Sequence, residues 1–159
     1  MNKATLYLIH GFIAFGKTTF AKKLAVEKDA VRFTHDEVMI ERFGTNPPAD
    51  KFQEYSQIVT NEIIVKAKRR LSEGNSVILD FGFWSRNERD KYKELAKSIG
   101  ADCVIYSINC DIDVAKQRCL QRTAEMPDGA LVIDENAFNI LLQKFEPINE
   151  DEEAVVENG

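Results

Sequence analysis

Residues 11–18 read Gly-Phe-Ile-Ala-Phe-Gly-Lys-Thr, which fits the spacing G-x-x-x-x-G-K-[ST] of a phosphate-binding loop. An apolar stretch of strand length precedes the loop, and apolar residues at helical spacing follow it. We expect Gly11 and Gly16 to adopt positive φ and to let the backbone approach a phosphate. The backbone N–H groups and the positive end of the helix dipole would then attract an anion. The motif therefore predicts a site for nucleotide phosphates.

Different groups of this loop are expected to bind different parts of a nucleotide. Lys17 is expected to reach the β- and γ-phosphates, and the Thr18 hydroxyl to bind Mg²⁺. Thr19 is a further candidate that would face the α-phosphate. The alternative is a glycine-rich turn that caps a helix without any ligand. The predicted cofactor-binding loop positions are Gly11, Phe12, Ile13, Ala14, Phe15, Gly16, Lys17, Thr18 and Thr19.

Two aspartates lie at the ends of predicted strands. Asp36 follows the second strand, where a carboxylate could accept the proton of an attacking hydroxyl group, or could simply cap the next helix. Asp80 ends the apolar run 77–79, a pattern that holds Mg²⁺ in phosphate-loop enzymes. We expect the neighbouring His35 to face solvent. The aspartates are thus a candidate base and a candidate metal ligand.

Two arginines on one predicted helix could act on a transferring phosphoryl group. Arg118 and Arg122 are four residues apart, so their side chains share a helix face. Guanidinium groups in a lid over about residues 118–132 would neutralise the charge of that group. The alternative is a solvated helix face.

Three residues after the third strand are less decisive. Arg86 and Arg89 could bind an anionic substrate, but surface pairs with neighbouring acidic residues are favoured for both. Trp84 could stack on a substrate ring or pack against a helix, and the sequence leaves both open.

Composition narrows the class of protein. The chain has 159 residues, 44% hydrophobic and 30% charged, which suits one soluble domain. Its net charge of −5 argues against a large nucleic-acid surface. No apolar run approaches the roughly 20 residues of a membrane span. The three cysteines lack metal-binding spacing and indicate reduced thiols in the cytoplasm.

Strand-like runs alternate with helical segments along the chain, followed by an acidic tail over residues 146–159. Residues 85–88 fit a capping box, and Asp111 or Asp113 is expected to cap the next helix. Asp134 is expected to cap a last helix that ends near Phe145. This alternation predicts an α/β fold, a mostly parallel sheet with helices on both faces. Ligands of such sheets lie beyond the carboxyl ends of the strands. The chemistry is therefore expected after residues 10, 34, 80 and 109.

The motifs together resemble the AAA-family ATP-binding phosphate-loop kinases, which are similar to the polynucleotide kinase, zeta-toxin and chloramphenicol phosphotransferase group. The segments that carry the resemblance are Gly11 to Thr19, Thr34-His35-Asp36-Glu37, Leu79-Asp80, Ser85-Arg86-x-x-Arg89, Arg118-x-x-x-Arg122 and Phe145-Glu146-Pro147. It implies a three-layer P-loop NTPase fold of the nucleoside-kinase type, with five parallel strands in the order 2-3-1-4-5. It also implies ATP and Mg²⁺ on Lys17 and Thr18, Asp36 as the base and Arg122 in the lid. Pro147 would belong to the adenine-side loop.

One departure from the relatives concerns the substrate. Met39 stands where polynucleotide kinases place an arginine that grips the substrate phosphate. The sequence therefore predicts an ATP-dependent kinase acting on a hydroxyl group of a small molecule, of antibiotic, nucleoside or sugar type. Nucleic acid and membrane partners are not expected. The alternatives are a nucleoside or nucleotide kinase, and a nucleotide-binding regulatory module with little or no catalysis.

Overall fold

The computed structural model describes residues 4–12, 15–44, 48, 50–125 and 135–158, and within them omits the side chains of residues 36, 122–125 and 158. Strands and helices alternate along most of the chain. Their order is β1 (Thr5–His10), α1 (Lys17–Lys28), β2 (Val31–Thr34), α2 (His35–Phe43), α3 (Phe52–Ser72), β3 (Val77–Gly82), α4 (Arg86–Ser98), β4 (Asp102–Asn109), α5 (Ile112–Glu125), α6 (Glu135–Leu142) and β5 (Ala154–Asn158).

The five strands form one parallel sheet in the order β2-β3-β1-β4-β5. The predicted strand order is thus confirmed. The central strand β1 is flanked by β3 and β4, so its end and the ends of both neighbours meet at one edge of the sheet. This edge carries the loop that follows His10.

The core has two parts, one on each face of the sheet. Alternate residues of β1 serve opposite faces, because successive side chains of a strand point in opposite directions. Leu6 and Leu8 belong to the cluster that includes α3 and α4. Tyr7 and Ile9 belong to the cluster that includes α1, α5 and α6. The molecule therefore has the expected three layers.

Helix caps follow the local sequence. The Ser85 hydroxyl accepts a hydrogen bond from the Glu88 N–H at 3.1 Å, as the predicted capping box requires. Asp111 caps α5 by accepting from the N–H groups of Asp113 and Val114. The helix α6 ends at Leu142, three residues before the predicted Phe145. Its predicted cap, Asp134, lies outside the described residues.

Among the described residues, no helix combines the length and the apolar character that crossing a bilayer requires.

Candidate active site

A cleft of about 760 Å³ opens at the carboxyl ends of β1, β2 and β3. The predicted phosphate loop and Asp80 form part of its wall, and residues of α2, α3 and α4, together with residues at the ends of β2 and β3, form the rest. Its lining residues are Gly16, Lys17, Thr18, Thr19, Thr34, His35, Ser56, Thr60, Asp80, Phe81, Trp84, Glu88 and Tyr92. The structure thus brings four predicted loop residues and the predicted metal ligand to one cavity.

The described part of the phosphate loop has the expected backbone at one glycine and a different one at the other. Gly16 has φ 92° and ψ 19°, and α1 begins at the next residue. The expectation for Gly11 is wrong, because its φ is not in the left-handed region. A Cβ at Gly11 would instead lie 3.0 Å from Lys17 Cγ and 3.3 Å from the carbonyl oxygen of Ile108. Glycine is required there because the Lys17 side chain passes close to the backbone.

The phenylalanines of the loop anchor it to the core. Phe12 and Phe15 are 0% and 4% exposed, and their rings meet edge to face with centroids 6.0 Å apart. Phe12 also packs on Phe138 and Phe145. These rings are buried, so only the backbone of these two residues is left to face a phosphate. Ile13 and Ala14 lie outside the described residues.

Lys17 starts α1 with its ammonium group at the loop. Its Nζ donates a hydrogen bond to the carbonyl oxygen of Phe12 at 2.8 Å. Because Lys17 also lines the cleft, the side chain already lies where an incoming phosphate would meet it.

Thr18 and Asp80 form a pair suited to a divalent cation. The Thr18 hydroxyl donates to Asp80 Oδ2 at 3.2 Å, and Asp80 is only 5% exposed. The pairing arises because β3 lies beside β1, so the two strand ends adjoin. A hydroxyl and a carboxylate fit Mg²⁺, which takes few protein ligands and completes its shell with water and phosphate oxygens. Among the described residues, no cluster of three or more His, Cys, Asp or Glu side chains forms a separate metal site.

The opposite wall of the cleft comes from α2 and α3. His35 Nε2 lies 3.0 Å from the Ser56 hydroxyl and 3.2 Å from the Ser56 carbonyl oxygen. The expectation that His35 faces solvent is therefore wrong. The reason is tertiary, since α3 packs against α2 and brings Ser56 to its first turn.

Asp36 lies in the first turn of α2, the helix that forms part of the wall opposite the phosphate loop. The N-cap of α2 is Thr34, so the alternative role of Asp36 as the cap is not what the backbone shows. The Asp36 side chain itself lies outside the described residues. Its backbone neighbours Thr34 and His35 both line the cleft.

The predicted lid arginines follow β4. Arg118 is exposed on α5, and its guanidinium donates to Cys110 Sγ at 3.6 Å. Cys110 directly follows β4, so Arg118 reaches back to the edge of the sheet that carries the loop. It is not among the residues that line the cleft. The Arg122 side chain and the region 126–132 lie outside the described residues.

Trp84 braces the phosphate loop while lining the cleft. Its indole Nε1 donates to the Gly11 carbonyl oxygen at 3.1 Å, and its ring packs on Phe12 with centroids 4.9 Å apart. Gly82 and Phe83, at φ 84° and 47°, make the sharp turn that places it there. The ring therefore packs against the loop, and it also lines the cleft.

Arg89 is a buried structural residue, which the sequence did not predict. It is 0% exposed and forms a bidentate pair with the Glu152 carboxylate at 2.8 and 3.0 Å. It also donates to the carbonyl oxygens of Phe83, Glu146 and Pro147. Burial tends to raise the pKa of Glu152, but hydrogen bonds from Arg89 and Asn149 outweigh it and hold that pKa below its ordinary value.

The favoured surface pairing is thus wrong for Arg89 and holds for Arg86, which pairs with Asp151 at 2.8 Å and Asp90 at 3.5 Å. Arg89 shares a helix face with the buried Tyr92 and Ala96. That helical spacing could have indicated that Arg89 is buried, but arginine side chains are usually exposed, so the residue type argued against it.

His10 ties the strand before the loop to the C-terminal segment. Its Nδ1 lies 2.9 Å from the Ser107 hydroxyl, and its Nε2 lies 3.0 Å from the Glu146 carbonyl oxygen. Because a carbonyl only accepts, Nε2 carries the proton and Nδ1 accepts from Ser107. Burial lowers the pKa of His10 to about 4. The segment that contains Pro147 is thereby fixed beside the loop, where it was predicted to meet the adenine.

Several solved structures of differently described proteins share this fold. A protein described as a kinase from Chloroflexus aurantiacus has a TM-score of 0.78 at 17% identity, over 99% of this chain and 89% of that one. A gluconokinase from Sinorhizobium meliloti has a TM-score of 0.64 at 14% identity, over 99% and 84%. A chain of the Pnkp1/Rnl/Hen1 RNA repair complex has a TM-score of 0.74 at 18% identity, over 91% and 44%. At these identities the likeness shows a common fold.

The sequence itself points to one family. No curated protein matches the chain at a significant level. The AAA_33 family profile, described as an AAA domain, matches residues 6–148. This match runs from β1 through the segment that contains Pro147, and so includes the phosphate loop and Asp80. The chain therefore belongs to the AAA_33 family of AAA domains.

Proposed function

We propose that this chain is an ATP- and Mg²⁺-dependent kinase that transfers the γ-phosphate of ATP to a hydroxyl group of a small molecule. The observation that carries this proposal is the two-sided cleft. The loop residues and the Thr18–Asp80 pair form one side, and Thr34, His35, Ser56 and Thr60 form the other. A module that only binds nucleotide needs the first side alone. A second polar wall facing the phosphates favours an acceptor and thus a kinase.

The proposed chemistry is an in-line displacement at the γ-phosphorus. The acceptor oxygen bonds to that phosphorus, the bond from phosphorus to the bridging oxygen of ADP breaks, and ADP leaves with the bonding electrons. Asp36 takes the proton of the acceptor hydroxyl. Arg118 and Arg122 stabilise the negative charge that spreads over the phosphoryl oxygens.

Lys17 and the loop amides hold the triphosphate, and Thr18 and Asp80 are the residues that would hold Mg²⁺. When bound, this cation neutralises phosphate charge and orients the phosphates for transfer. Phe12 and Phe15 anchor the described part of the loop in the core, which supports a preorganised site. Positioning and charge stabilisation provide most of the catalysis in such a site.

One observation supports a small molecule as the acceptor. Met39 is 6% exposed and belongs to the core, so the position of the phosphate-gripping arginine of polynucleotide kinases supplies no charge here.

None of the three cysteines forms a disulfide, which supports a place in the reducing cytoplasm.

The test is phosphate gain by a panel of acceptors, read by mass spectrometry. The panel contains antibiotics, nucleosides, nucleotides, sugars and a short RNA oligonucleotide. Asp36→Asn should lower transfer to the acceptor at least about 100-fold while nucleotide affinity is roughly kept. Glu41→Gln removes an exposed carboxylate from the same helix and is the matched control.

Near-normal transfer by Asp36→Asn would show that Asp36 is not the base. Lys17→Ala should weaken nucleotide binding or turnover in every case, so it tests the site rather than the class. Nucleotide binding that depends on Lys17, with no transfer to any member of the panel, would favour the regulatory module instead.

A further inference from the structure

The acceptor side of the cleft is poor in positive charge. Among the described residues that line the cleft, Lys17 is the one lysine or arginine, and it lies at the phosphate loop. Arg32 is not one of the lining residues, although its guanidinium donates a hydrogen bond to the Thr34 hydroxyl. Its charge is also paired with the Glu37 carboxylate at 3.0 Å. The described part of the lining therefore offers an anionic acceptor no lysine or arginine beyond the one that the triphosphate would use.

Glu88 contributes a negative charge to the lining of the cleft. It lies in the first turn of α4, where its backbone N–H is held by the Ser85 hydroxyl, and its side chain lines the cleft. Burial raises the pKa of Glu88 above its ordinary value. Among the described residues, its carboxylate has no ion-pair partner within 4.0 Å.

The two nearby cations do not compensate Glu88 closely. Arg89 is committed to Glu152 and to three carbonyl oxygens. Lys91 is exposed to solvent. A positive group on a ligand would therefore supply the interaction that the protein does not.

The remaining lining suits a hydroxylated ring. The hydroxyl groups of Thr34, Ser56 and Thr60 can both donate and accept hydrogen bonds. Phe81, Trp84 and Tyr92 contribute apolar surface to the same cavity. A few polar groups on an aromatic wall orient a compact ligand that has both polar edges and an apolar face.

We infer that the acceptor is a polyhydroxylated molecule that carries a protonated amine and no acidic group, as amino sugars and aminocyclitols do, and that Glu88 is the specificity-determining residue. This inference rests on the proposed function, because it names the acceptor class of the same cleft. Glu88 acts on substrate selection and takes no part in proton transfer. A sugar acid or a phosphorylated acceptor would place its charge beside this carboxylate.

The test uses the full chain with ATP and Mg²⁺ and acceptors that differ in charge on one scaffold. The first set is D-glucosamine, D-glucose and D-gluconate, and the second is 2-deoxystreptamine and myo-inositol. ADP release gives kcat/KM for each. Quenching of Trp84 fluorescence, in protein loaded with a non-hydrolysable ATP analogue, measures acceptor binding without turnover, because Trp84 is the one tryptophan and lines the cleft.

We expect the amine-bearing member of each set to exceed its neutral counterpart about tenfold in kcat/KM, which is the effect of one charge-assisted hydrogen bond. The acidic member should be the poorest. Glu88→Gln should bring the amine-bearing and neutral members to within about twofold, while Glu94→Gln, an exposed acid-to-amide change on the same helix, should keep the preference.

Transfer to D-gluconate, to a nucleotide or to the oligonucleotide at the highest rate would overturn this inference and leave the proposed kinase standing. An amine preference that survives in Glu88→Gln would equally overturn the role of Glu88. No transfer to any acceptor and no change of Trp84 fluorescence with any of them would overturn both the inference and the proposed function.

Discussion

Protonation of His10 should destabilise the fold in mild acid. The pKa of His10 falls from 6.5 to about 4 on burial, so the native protein holds this ring neutral in a range where the unfolded chain binds a proton. The unfolded state therefore takes up more protons as the pH falls from about 6.5 to about 4, and the free energy of unfolding decreases over that window. Above it, the contribution of His10 is fully present.

The magnitude follows from the two pKa values. Between about pH 7 and about pH 5 the linkage relation gives a loss of about 2 kcal/mol of unfolding free energy from this one group. The loss reaches about 3 kcal/mol below about pH 4. Protonation would also place a second N–H on Nδ1, where the Ser107 hydroxyl now donates.

The assay is urea unfolding at about pH 7, 6 and 5, followed by Trp84 fluorescence and circular dichroism, for the native chain and for His10→Gln. The variant should be less stable at pH 7, because the two hydrogen bonds of the ring are altered, but it should lose about 2 kcal/mol less between pH 7 and pH 5. The difference between the two proteins removes the contributions of other groups, such as Glu88, whose raised pKa acts in the opposite sense. Parallel losses in the two proteins would refute the assignment of the acid sensitivity to His10.

Two further predictions concern the packing around the site. Arg89→Met should lower the free energy of unfolding by about 3–5 kcal/mol, since it removes the bidentate partner of the buried Glu152 and leaves that carboxylate only the longer contacts with Asn149 and Arg86. Arg86→Met removes an exposed pair with Asp151 and a longer contact of 3.4 Å with Glu152, which keeps Arg89, so it should cost much less in the same urea measurement; equal losses in both variants would contradict the distinction. Gly82→Ala should strain a backbone at φ 84° and place a Cβ 3.0 Å from Trp84 Nε1, so we expect altered Trp84 fluorescence and weaker nucleotide binding by calorimetry. Gly100→Ala has φ 73° and open space around its Cβ, so it should cost only about 1 kcal/mol and leave binding unchanged. Unchanged fluorescence and binding in Gly82→Ala would show that the Trp84 contact does not support the loop.

Most of the fold could be predicted from the sequence, because helix periodicity, strand alternation and caps are local properties. The run before Gly11 became β1, and Ser85 and Asp111 became caps. The boundary error at the end of α6 and the wrong φ at Gly11 arose where packing, rather than local preference, fixes the backbone.

The candidate site divides in the same way. The phosphate loop and Asp80 were predicted because each is a short motif at a strand end, and adjacent parallel strands bring them together. The roles of Asp36, Arg118, Arg122 and Pro147 stay predictions. His35 and Arg89 were misjudged, because their partners Ser56 and Glu152 are 21 and 63 residues away in the chain.

The sequence by itself determined the phosphate loop, the strand and helix order, and the position of the metal-ligand candidates, since these depend on residues close together in the chain. Only the tertiary structure decided what faces the loop across the cleft. Ser56, Thr60 and Glu88 come from two separate helices, and His10 meets Glu146 over a separation of 136 residues. Contacts of that range depend on how whole elements pack. No local pattern records which side chain will be buried, or which acceptor the cleft will fit.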